Sequence, residues 1–118
     1  MKIMMVDDEP ELIDLLCELL PSTWRIDKFN DARSAGEHYQ DHQNYDLVIT
    51  DFKMAPKSGE GLIFDIKYIN PAQKIIVVTG DPSGLNLPEK FKIQIFQKPA
   101  NMKSFVAAIM DLCAEKQN

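Results

Sequence analysis

The sequence predicts an α/β fold in which a five-stranded parallel sheet is covered by helices on both faces. Short apolar runs alternate five times with segments of helical periodicity. Two of these runs, residues 47–49 and 75–78, contain no polar residue, as expected of strands that are covered on both faces. Strands that alternate with helices are joined by right-handed crossovers, and such crossovers make neighbouring strands parallel.

Length and composition indicate one globular domain over residues 1–118. The chain is long enough to bury roughly two-thirds of its unfolded surface without disulfides or metals, and its apolar content of 45% is ordinary. A net charge of -5 argues against direct nucleic-acid binding, which needs clustered basic residues. No run approaches the ~20 apolar residues of a membrane span. We therefore expect a cytoplasmic protein with no membrane contact.

The first strand and helix meet at an acidic junction. The strand is predicted over Lys2–Val6, and Asp8 is the expected N-cap of a helix that has Glu9 or Pro10 in its first turn. Apolar residues then recur at helical spacing, at Leu12, Ile13, Leu16, Leu19 and Leu20. This pattern predicts a helix with one buried face.

The next elements are a more exposed strand, a weak helix and a buried strand. Alternating apolar and polar residues predict the second strand over residues 24–28. Asn30 or Asp31 is expected to cap a helix that ends near His42. The third strand is predicted over residues 46–50, directly before Asp51.

The second half continues the alternation with one irregular segment. A helix is predicted over residues 61–70 and is stopped by Pro71. Strands are predicted over residues 75–78 and 93–96. The segment between them, residues 81–92, contains two prolines and a glycine, so its helix is expected to be short or irregular.

The last helix is expected to begin after Asn101 and to bury an apolar face. That face comprises Met102, Phe105, Val106, Ile109 and Leu112 or Cys113. Cys17 and Cys113 both fall in apolar helical patterns, which favours reduced core residues over a disulfide. His38 and His42 have the spacing of metal ligands on a helix, yet without a third ligand we interpret them as two exposed histidines.

Polar residues stand where the predicted strands end. Asp7 and Asp8 follow the first strand, Asp51 follows the third, Thr79 the fourth and Lys98 the fifth. In open parallel sheets the ligand site lies beyond the carboxyl ends of the strands. The sequence therefore predicts that three carboxylates, a hydroxyl and an ammonium group converge on one edge.

This set of groups suits magnesium-assisted phosphoryl chemistry. Nearby carboxylates repel one another unless a cation lies among them, and oxygen ligands at an open site suit Mg²⁺. One carboxylate can then act as a nucleophile toward phosphorus, while a lysine neutralises charge on the phosphoryl oxygens. Thr79 could donate a hydrogen bond to one of those oxygens.

The chain resembles the receiver domain of bacterial two-component response regulators in four motifs: "VDDEP", "DFKM" with a following "SG", "VVTG" and "QKP". The resemblance covers the chain from Lys2 to about Ala114. It implies a chemotaxis-regulator-like domain with the flavodoxin-like strand order 2-1-3-4-5. It also implies that Asp51 is the phosphoacceptor and that Thr79 is the switch residue.

The resemblance implies roles for the remaining motif residues too. Asp7, Asp8 and Asp51 are implied metal ligands, together with the backbone carbonyl of Lys53. The motif "QKP" supplies Lys98 as the lysine of the site. The peptide bond between Lys98 and Pro99 is expected to be cis, as is typical of this family.

The implied function is to take a phosphoryl group from a histidine kinase or histidine phosphotransfer protein onto Asp51, with Mg²⁺ as cofactor. The domain would catalyse only its own phosphorylation and dephosphorylation, and phosphorylation would shift a surface for an unspecified output partner or output domain. One alternative is a phosphorylation-independent docking module with a vestigial acidic pocket. An aspartate-nucleophile phosphatase is disfavoured, because Lys53 occupies the place of its second acid.

Four departures from the family pattern affect these expectations. Ala55 stands where proline is usual, and Pro56 comes one residue later. Ile95 replaces the usual switch aromatic, and Phe96 should face the opposite side of the strand. Ala100 replaces a common aromatic. The segment between Thr79 and Lys98 is also short, so the output surface cannot be inferred from the family.

Overall fold

The computed structural model describes residues 1–52, 59–98 and 101–117 as one α/β domain. The strands are β1 (Lys2–Val6), β2 (Arg25–Phe29), β3 (Leu47–Asp51), β4 (Ile75–Thr79) and β5 (Gln94–Gln97). The helices in these ranges are α1 (Pro10–Leu19), α2 (Ala32–Asp41), α3 (Gly59–Ile69) and α4 (Met102–Gln117). All strand pairs are parallel in the order β2-β1-β3-β4-β5, which confirms the predicted fold class.

Burial along the sheet follows the sequence pattern. Every residue of β3 and β4 is buried, because both strands lie inside the sheet and are covered on both faces. β2 and β5 are the edge strands and are only partly buried. The more exposed second strand is thus confirmed, and its exposure follows from its position at the edge.

Two hydrophobic cores lie on opposite faces of the sheet. α1 and α4 cover one face, where Ile13, Leu16, Phe105, Ile109 and Cys113 pack against β1, β3 and β4. α2 and α3 cover the other face, where Ala35, Tyr39, Leu62, Ile63 and Ile66 pack against the same strands. The prediction of helices on both faces is confirmed.

Strand ends differ from the sequence prediction by one residue. β3 includes Asp51 and β4 includes Thr79, and β5 runs to Gln97 rather than Phe96. The pairing explains the difference, since Asp51 pairs with Val78 and Thr79 with Gln97. Ladder hydrogen bonds continue across these polar residues although the apolar pattern stops before them.

The N-cap predicted for α1 is wrong. Glu9, in an extended conformation, is the N-cap, and Pro10 is the first helical residue. The Glu9 amide donates a hydrogen bond to Asp7 Oδ1 at 2.8 Å. Asp8 is not the cap because its carboxylate lies with those of Asp7 and Asp51.

Side-chain hydrogen bonds confirm the N-caps predicted for α2 and α4. Asp31, rather than Asn30, accepts a hydrogen bond from the Ser34 amide at 2.7 Å. Asn101 accepts one from the Ser104 amide at 3.1 Å. Such bonds satisfy amides that a helix start would otherwise leave unpaired.

The segment between β4 and β5 forms two single-turn 3-10 helices, Pro82–Gly84 and Glu89–Phe91, in place of an α-helix. This confirms the short, irregular fourth helix. Apolar residues from the segment still cover the α2 and α3 face of the sheet, through Leu85, Leu87, Phe91 and Ile93. Lys92 ends the second turn with a positive φ of 52°.

Several sequence expectations concern residues outside the described ranges. These are the Lys53 carbonyl, Ala55 and Pro56 in the loop after β3, the geometry of the Lys98–Pro99 bond, and Ala100. They stay predictions. Cys17 and Cys113 form no disulfide. Within the described ranges, no helix combines the length and the apolar character needed to cross a membrane.

Candidate functional site

The candidate site lies at the carboxyl edge of the central strands. Asp7 follows β1 directly, Asp51 is the last residue of β3, and Thr79 is the last residue of β4. β3 lies between β1 and β4, so these three ends are adjacent in the sheet. Lys98 follows β5, and its amide donates to the Thr79 carbonyl at 2.7 Å.

Three carboxylates meet at this edge. One oxygen from each of Asp7, Asp8 and Asp51 lies within 4.8 Å of the other two. Asp7 and Asp51 are buried, with 4% and 8% of their surface exposed, whereas Asp8 is exposed. The sequence prediction that these three acids come together is therefore met by the geometry.

Lys98 links the two buried acids. Its Nζ lies 3.1 Å from Asp51 Oδ2 and 3.3 Å from Asp7 Oδ2. Partial burial alone would lower the pKa of Lys98, but the hydrogen bond and charge of Asp51 and the charge of Asp7 outweigh it and raise that pKa. The lysine therefore remains charged at neutral pH and offsets part of the local negative charge.

The pKa of the Asp7 carboxyl group is raised by its surroundings. Burial raises its pKa above the ordinary value of 3.8, and the charge of Asp51 acts in the same direction. The hydrogen bond from the Glu9 amide and the ammonium group of Lys98 oppose that rise. A further positive charge at this edge would favour the ionised form.

Thr79 is buried at the end of the neighbouring strand, with 1% of its surface exposed. Its Oγ1 accepts a hydrogen bond from the Asp81 amide at 3.2 Å. Because the hydroxyl oxygen is the acceptor in that bond, the hydroxyl group can also donate a hydrogen bond to another acceptor.

The donor set fits a magnesium ion. Magnesium takes oxygen ligands at about 2.0–2.1 Å, so two ligands on opposite sides of one ion are about 4 Å apart. The three carboxylate oxygens lie within 4.8 Å of one another, close enough for one ion to bind between them. One of the three acids is exposed, which leaves a side open to water or to a phosphoryl group.

The departure at Ile95 has a structural counterpart. Ile95 has 42% of its surface exposed. Phe96 faces the other way and packs edge-on against Phe105, with ring centroids 5.0 Å apart. Phe96 therefore belongs to the core beside α4, as strand alternation predicts, and does not stand in for the switch aromatic.

Gly59 contributes to the site although no role is assigned to it from the sequence. A Cβ at this position would collide with the Asp51 carbonyl oxygen and would lie 2.9 Å from the Phe52 Cα. The Gly59 amide also donates to the Phe52 carbonyl at 2.8 Å. A glycine soon after a strand-end acid is a signal of close backbone approach.

His38 and His42 stack on one another at 4.1 Å, with ring planes 6° apart. His42 is exposed and His38 is partly buried. Within the described ranges they belong to no cluster of three metal-ligating groups. The prediction of two exposed histidines holds for His42, whereas His38 is less exposed than predicted.

Comparison with known proteins agrees with the fold and with this edge. The family model described as "Response regulator receiver domain" matches residues 3–110. The chain belongs to this family, and it is therefore a receiver domain of two-component signalling with an acidic pocket.

Individual relatives are distant in sequence. Transcriptional regulatory protein GlrR of Escherichia coli is 25% identical over 112 residues, which cover 92% of this chain and 25% of GlrR. Protein QseF of Escherichia coli O157:H7 gives the same values. The chain thus spans about a quarter of the length of these curated relatives.

Solved structures share the architecture. A receiver domain protein from Clostridium thermocellum has a TM-score of 0.83 and 26% identity, covering 98% of this chain and 96% of that one. TrrA from Thermotoga maritima, in complex with Mg²⁺ and BeF, has a TM-score of 0.80 and 27% identity, covering 94% of this chain and 97% of that one.

Proposed function

We propose that residues 1–118 form a phosphoacceptor receiver domain in which Asp51 takes a phosphoryl group from a phosphohistidine partner. The observation that carries this proposal is the cluster of Asp7, Asp8 and Asp51 within 4.8 Å, with Lys98 bound to the two buried acids. Two of the three acids are buried, and the repulsion among the three carboxylates lowers the stability of the fold. Such a cost is explained if the cluster has a chemical function.

The transfer assigns a task to each side chain. An Asp51 carboxylate oxygen attacks phosphorus, the bond from phosphorus to the partner's imidazole nitrogen breaks, and the electron pair stays on that nitrogen. Lys98 offsets charge on the phosphoryl oxygens, and the Thr79 hydroxyl donates a hydrogen bond to one of them. The product is an acyl phosphate on Asp51.

Asp7, Asp8 and Asp51 would hold Mg²⁺, with the Lys53 carbonyl as a further ligand. When bound, the ion supplies positive charge that stabilises the phosphoryl oxygens as negative charge develops on them. TrrA, a structural relative, is described with Mg²⁺ and BeF, which supports the assignment of the ion.

The domain would act on its own side chain rather than on a diffusible substrate. Its partners are a histidine kinase or histidine phosphotransfer protein and an output partner or output domain. Movement of Thr79 toward the new phosphoryl oxygens would shift the segment after β4 between two populated conformations. A cytoplasmic location and the absence of nucleic-acid binding belong to the same proposal.

A phosphodonor assay tests the proposal. Incubation with acetyl phosphate and Mg²⁺ should add one phosphoryl group per chain by intact mass spectrometry, and chelation of Mg²⁺ should abolish it. Asp51→Asn should show no gain, because an amide is not a competent nucleophile here. Asp111→Asn, an exposed acid on α4, is the matched control and should behave as the parent.

Equal labelling of Asp51→Asn and the parent would contradict the assignment of Asp51. A parent chain that is never labelled, although folded, would favour the phosphorylation-independent docking module with a vestigial acidic pocket.

A further inference from the structure

A groove lies between α3 and the second 3-10 turn, on the face of the sheet away from α1. It has a volume of about 620 Å³, and its lining includes Phe64, Tyr68, Pro71, Pro88, Lys90 and Phe91. Cavities of this size are typical of binding sites. The groove exists because the segment after β4 forms only single turns, which leave the side of α3 partly uncovered.

The groove exposes aromatic surface. Phe64 is 41% exposed and Tyr68 is 90% exposed. Phe64 and Phe91 meet edge-on with centroids 5.3 Å apart, so the two rings form a fixed apolar floor. Contiguous exposed apolar surface with a polar rim is typical of interaction sites.

The rim of the groove is basic in an acidic protein. Lys90 lines the groove and Lys92 lines a second cavity beside it, and both are exposed. Lys67 and Lys74 also lie here, but their ammonium groups donate to backbone carbonyls. Asp65 is the acid among the lining residues of the two cavities. Because the whole chain carries a net charge of -5, this local concentration of lysines favours an acidic partner.

The position of Lys67 holds one of these charges in place. It is buried, and its Nζ donates to the Pro71 carbonyl at 3.2 Å and to the Gln73 carbonyl at 2.7 Å. Its ammonium group also lies 6.0 Å from the Phe91 ring centroid. Lys67 therefore fixes the wall of the groove from inside the domain, and the exposed Lys90 is the lysine of the groove that can meet an acidic partner.

A matching surface is present on α1 of the same chain. Leu15 and Leu19 are 42% and 49% exposed. Glu11 and Glu18 are exposed beside them. Residues 11, 15, 18 and 19 share one helix face, which is the spacing by which an amphipathic helix enters an apolar groove.

We propose that the groove between α3 and the second 3-10 turn binds the acidic, leucine-bearing face of α1 from a second copy of this chain. The apolar contact joins Leu15 and Leu19 to the aromatic floor, and the acids of α1 face the lysines of the rim. This association is independent of the phosphoryl-transfer function.

The contact is head-to-tail. α1 packs on one face of the sheet, while the groove residue Phe91 packs on the core of the other face. Two different surfaces therefore meet, and a bound pair still presents a free groove on one copy and a free α1 on the other. Such a contact continues into longer assemblies unless it closes into a ring.

Sedimentation velocity of the unphosphorylated chain over a concentration series tests the proposal. The average mass of the parent should rise with concentration and pass that of a dimer. Lys90→Glu should weaken the association by roughly three- to tenfold, because it replaces attraction at the rim with repulsion. Lys103→Glu, an exposed lysine on α4, changes the net charge equally and should leave the association nearly unchanged.

A mixing experiment isolates the two surfaces. Lys90→Glu blocks the groove and leaves α1 intact, whereas Leu19→Glu blocks α1 and leaves the groove intact. Each variant alone should associate more weakly than the parent, and an equal mixture should recover the affinity of the parent in a complex that stops at one copy of each. Circular dichroism melts confirm that both variants are folded.

Three results would overturn the proposal. These are a parent that stays monomeric at every concentration, an association that stops at a dimer, and a mixture of the two variants that stays monomeric. Association as strong in both single variants as in the parent would place the contact on another surface and is a fourth result that would overturn the proposal.

Discussion

At the residue scale, the hydrogen bond from Tyr45 to Asp27 shows how a single pair ties two strands together. The Tyr45 hydroxyl donates to Asp27 Oδ2 at 2.6 Å, and Arg25 Nε lies 3.2 Å from Oδ1. Burial alone would raise the pKa of Asp27, but the hydrogen bonds from Tyr45 and Arg25 outweigh it and lower that pKa below 3.8. Asp27 lies on β2, and Tyr45 comes just before β3.

Tyr45→Phe is therefore expected to destabilise the domain in a pH-dependent way. A hydrogen bond to a charged group contributes about 1.5–3 kcal/mol. Because the folded-state pKa of Asp27 is lowered, its stabilisation is fully present above the unfolded pKa and is lost as the pH falls through the folded pKa. Urea unfolding between about pH 3 and pH 7 should show the parent and the variant converging toward the acid end.

Tyr39→Phe is the matched control for this pH dependence. Tyr39 donates to Gln73 Oε1 at 2.6 Å, and this acceptor does not titrate. Its loss should cost about 1–3 kcal/mol at every pH in the same range. A cost for Tyr45→Phe that is equally flat would show that Asp27 is not the acceptor that matters.

At the element scale, the junction between β3 and α3 depends on the absence of a side chain. The Gly59 amide holds the Phe52 carbonyl, and no Cβ fits between Gly59 and the Asp51 carbonyl oxygen. Asp51, the proposed nucleophile, is the residue whose carbonyl oxygen lies against Gly59. The start of α3 and the position of Asp51 are therefore mechanically coupled.

Gly59→Ala should destabilise the domain by about 1–3 kcal/mol, because the added methyl group forces the backbone of β3 or α3 to move. Phosphorylation by acetyl phosphate should slow in the same variant, since Asp51 is displaced. Chemical denaturation and initial labelling rates measure the two effects.

Gly80→Ala supplies the comparison for this prediction. A Cβ at Gly80 would meet nothing within 4 Å. The substitution should change stability by no more than about 0.5 kcal/mol and should leave the labelling rate unchanged. If Gly59→Ala were as mild as Gly80→Ala, the close approach would not constrain the site.

At the scale of the whole molecule, the acidic cluster that the proposed function needs lowers the stability of the fold. Asp7, Asp8 and Asp51 carry like charges, and one lysine offsets only part of their repulsion. A cation that binds the folded state alone removes this cost and stabilises the fold by mass action.

Mg²⁺ is therefore expected to raise the melting temperature, and a chelator to lower it. A hundredfold excess over the dissociation constant corresponds to about 2.7 kcal/mol. Thermal melts at neutral pH measure the shift, and Asp7→Asn or Asp8→Asn should reduce it. Asp111→Asn should keep the full shift. Identical midpoints with millimolar metal and with chelator would contradict the metal site.

Much of the fold follows from local patterns in the sequence. The apolar runs at β3 and β4 predict buried strands, because a strand covered on both faces needs apolar side chains on both. The polar residues that end these runs, Asp51 and Thr79, lie at one edge, because parallel strands end at the same side of a sheet. The irregular segment after β4 follows from its prolines, which remove backbone donors.

Other features depend on contacts between distant residues, and the tertiary structure alone decides them. Lys98 reaches Asp7 and Asp51 across 91 and 47 residues of chain, and no local pattern encodes those distances. Asp8 lies in the acid cluster, and the residue that caps α1 is Glu9, whose amide binds the side chain of Asp7. The groove beside α3 exists only because two separate segments pack without filling the space between them. Local sequence determines the end of each strand to within about one residue, because apolar runs stop near it, whereas packing determines the last ladder pair and the side chains that meet.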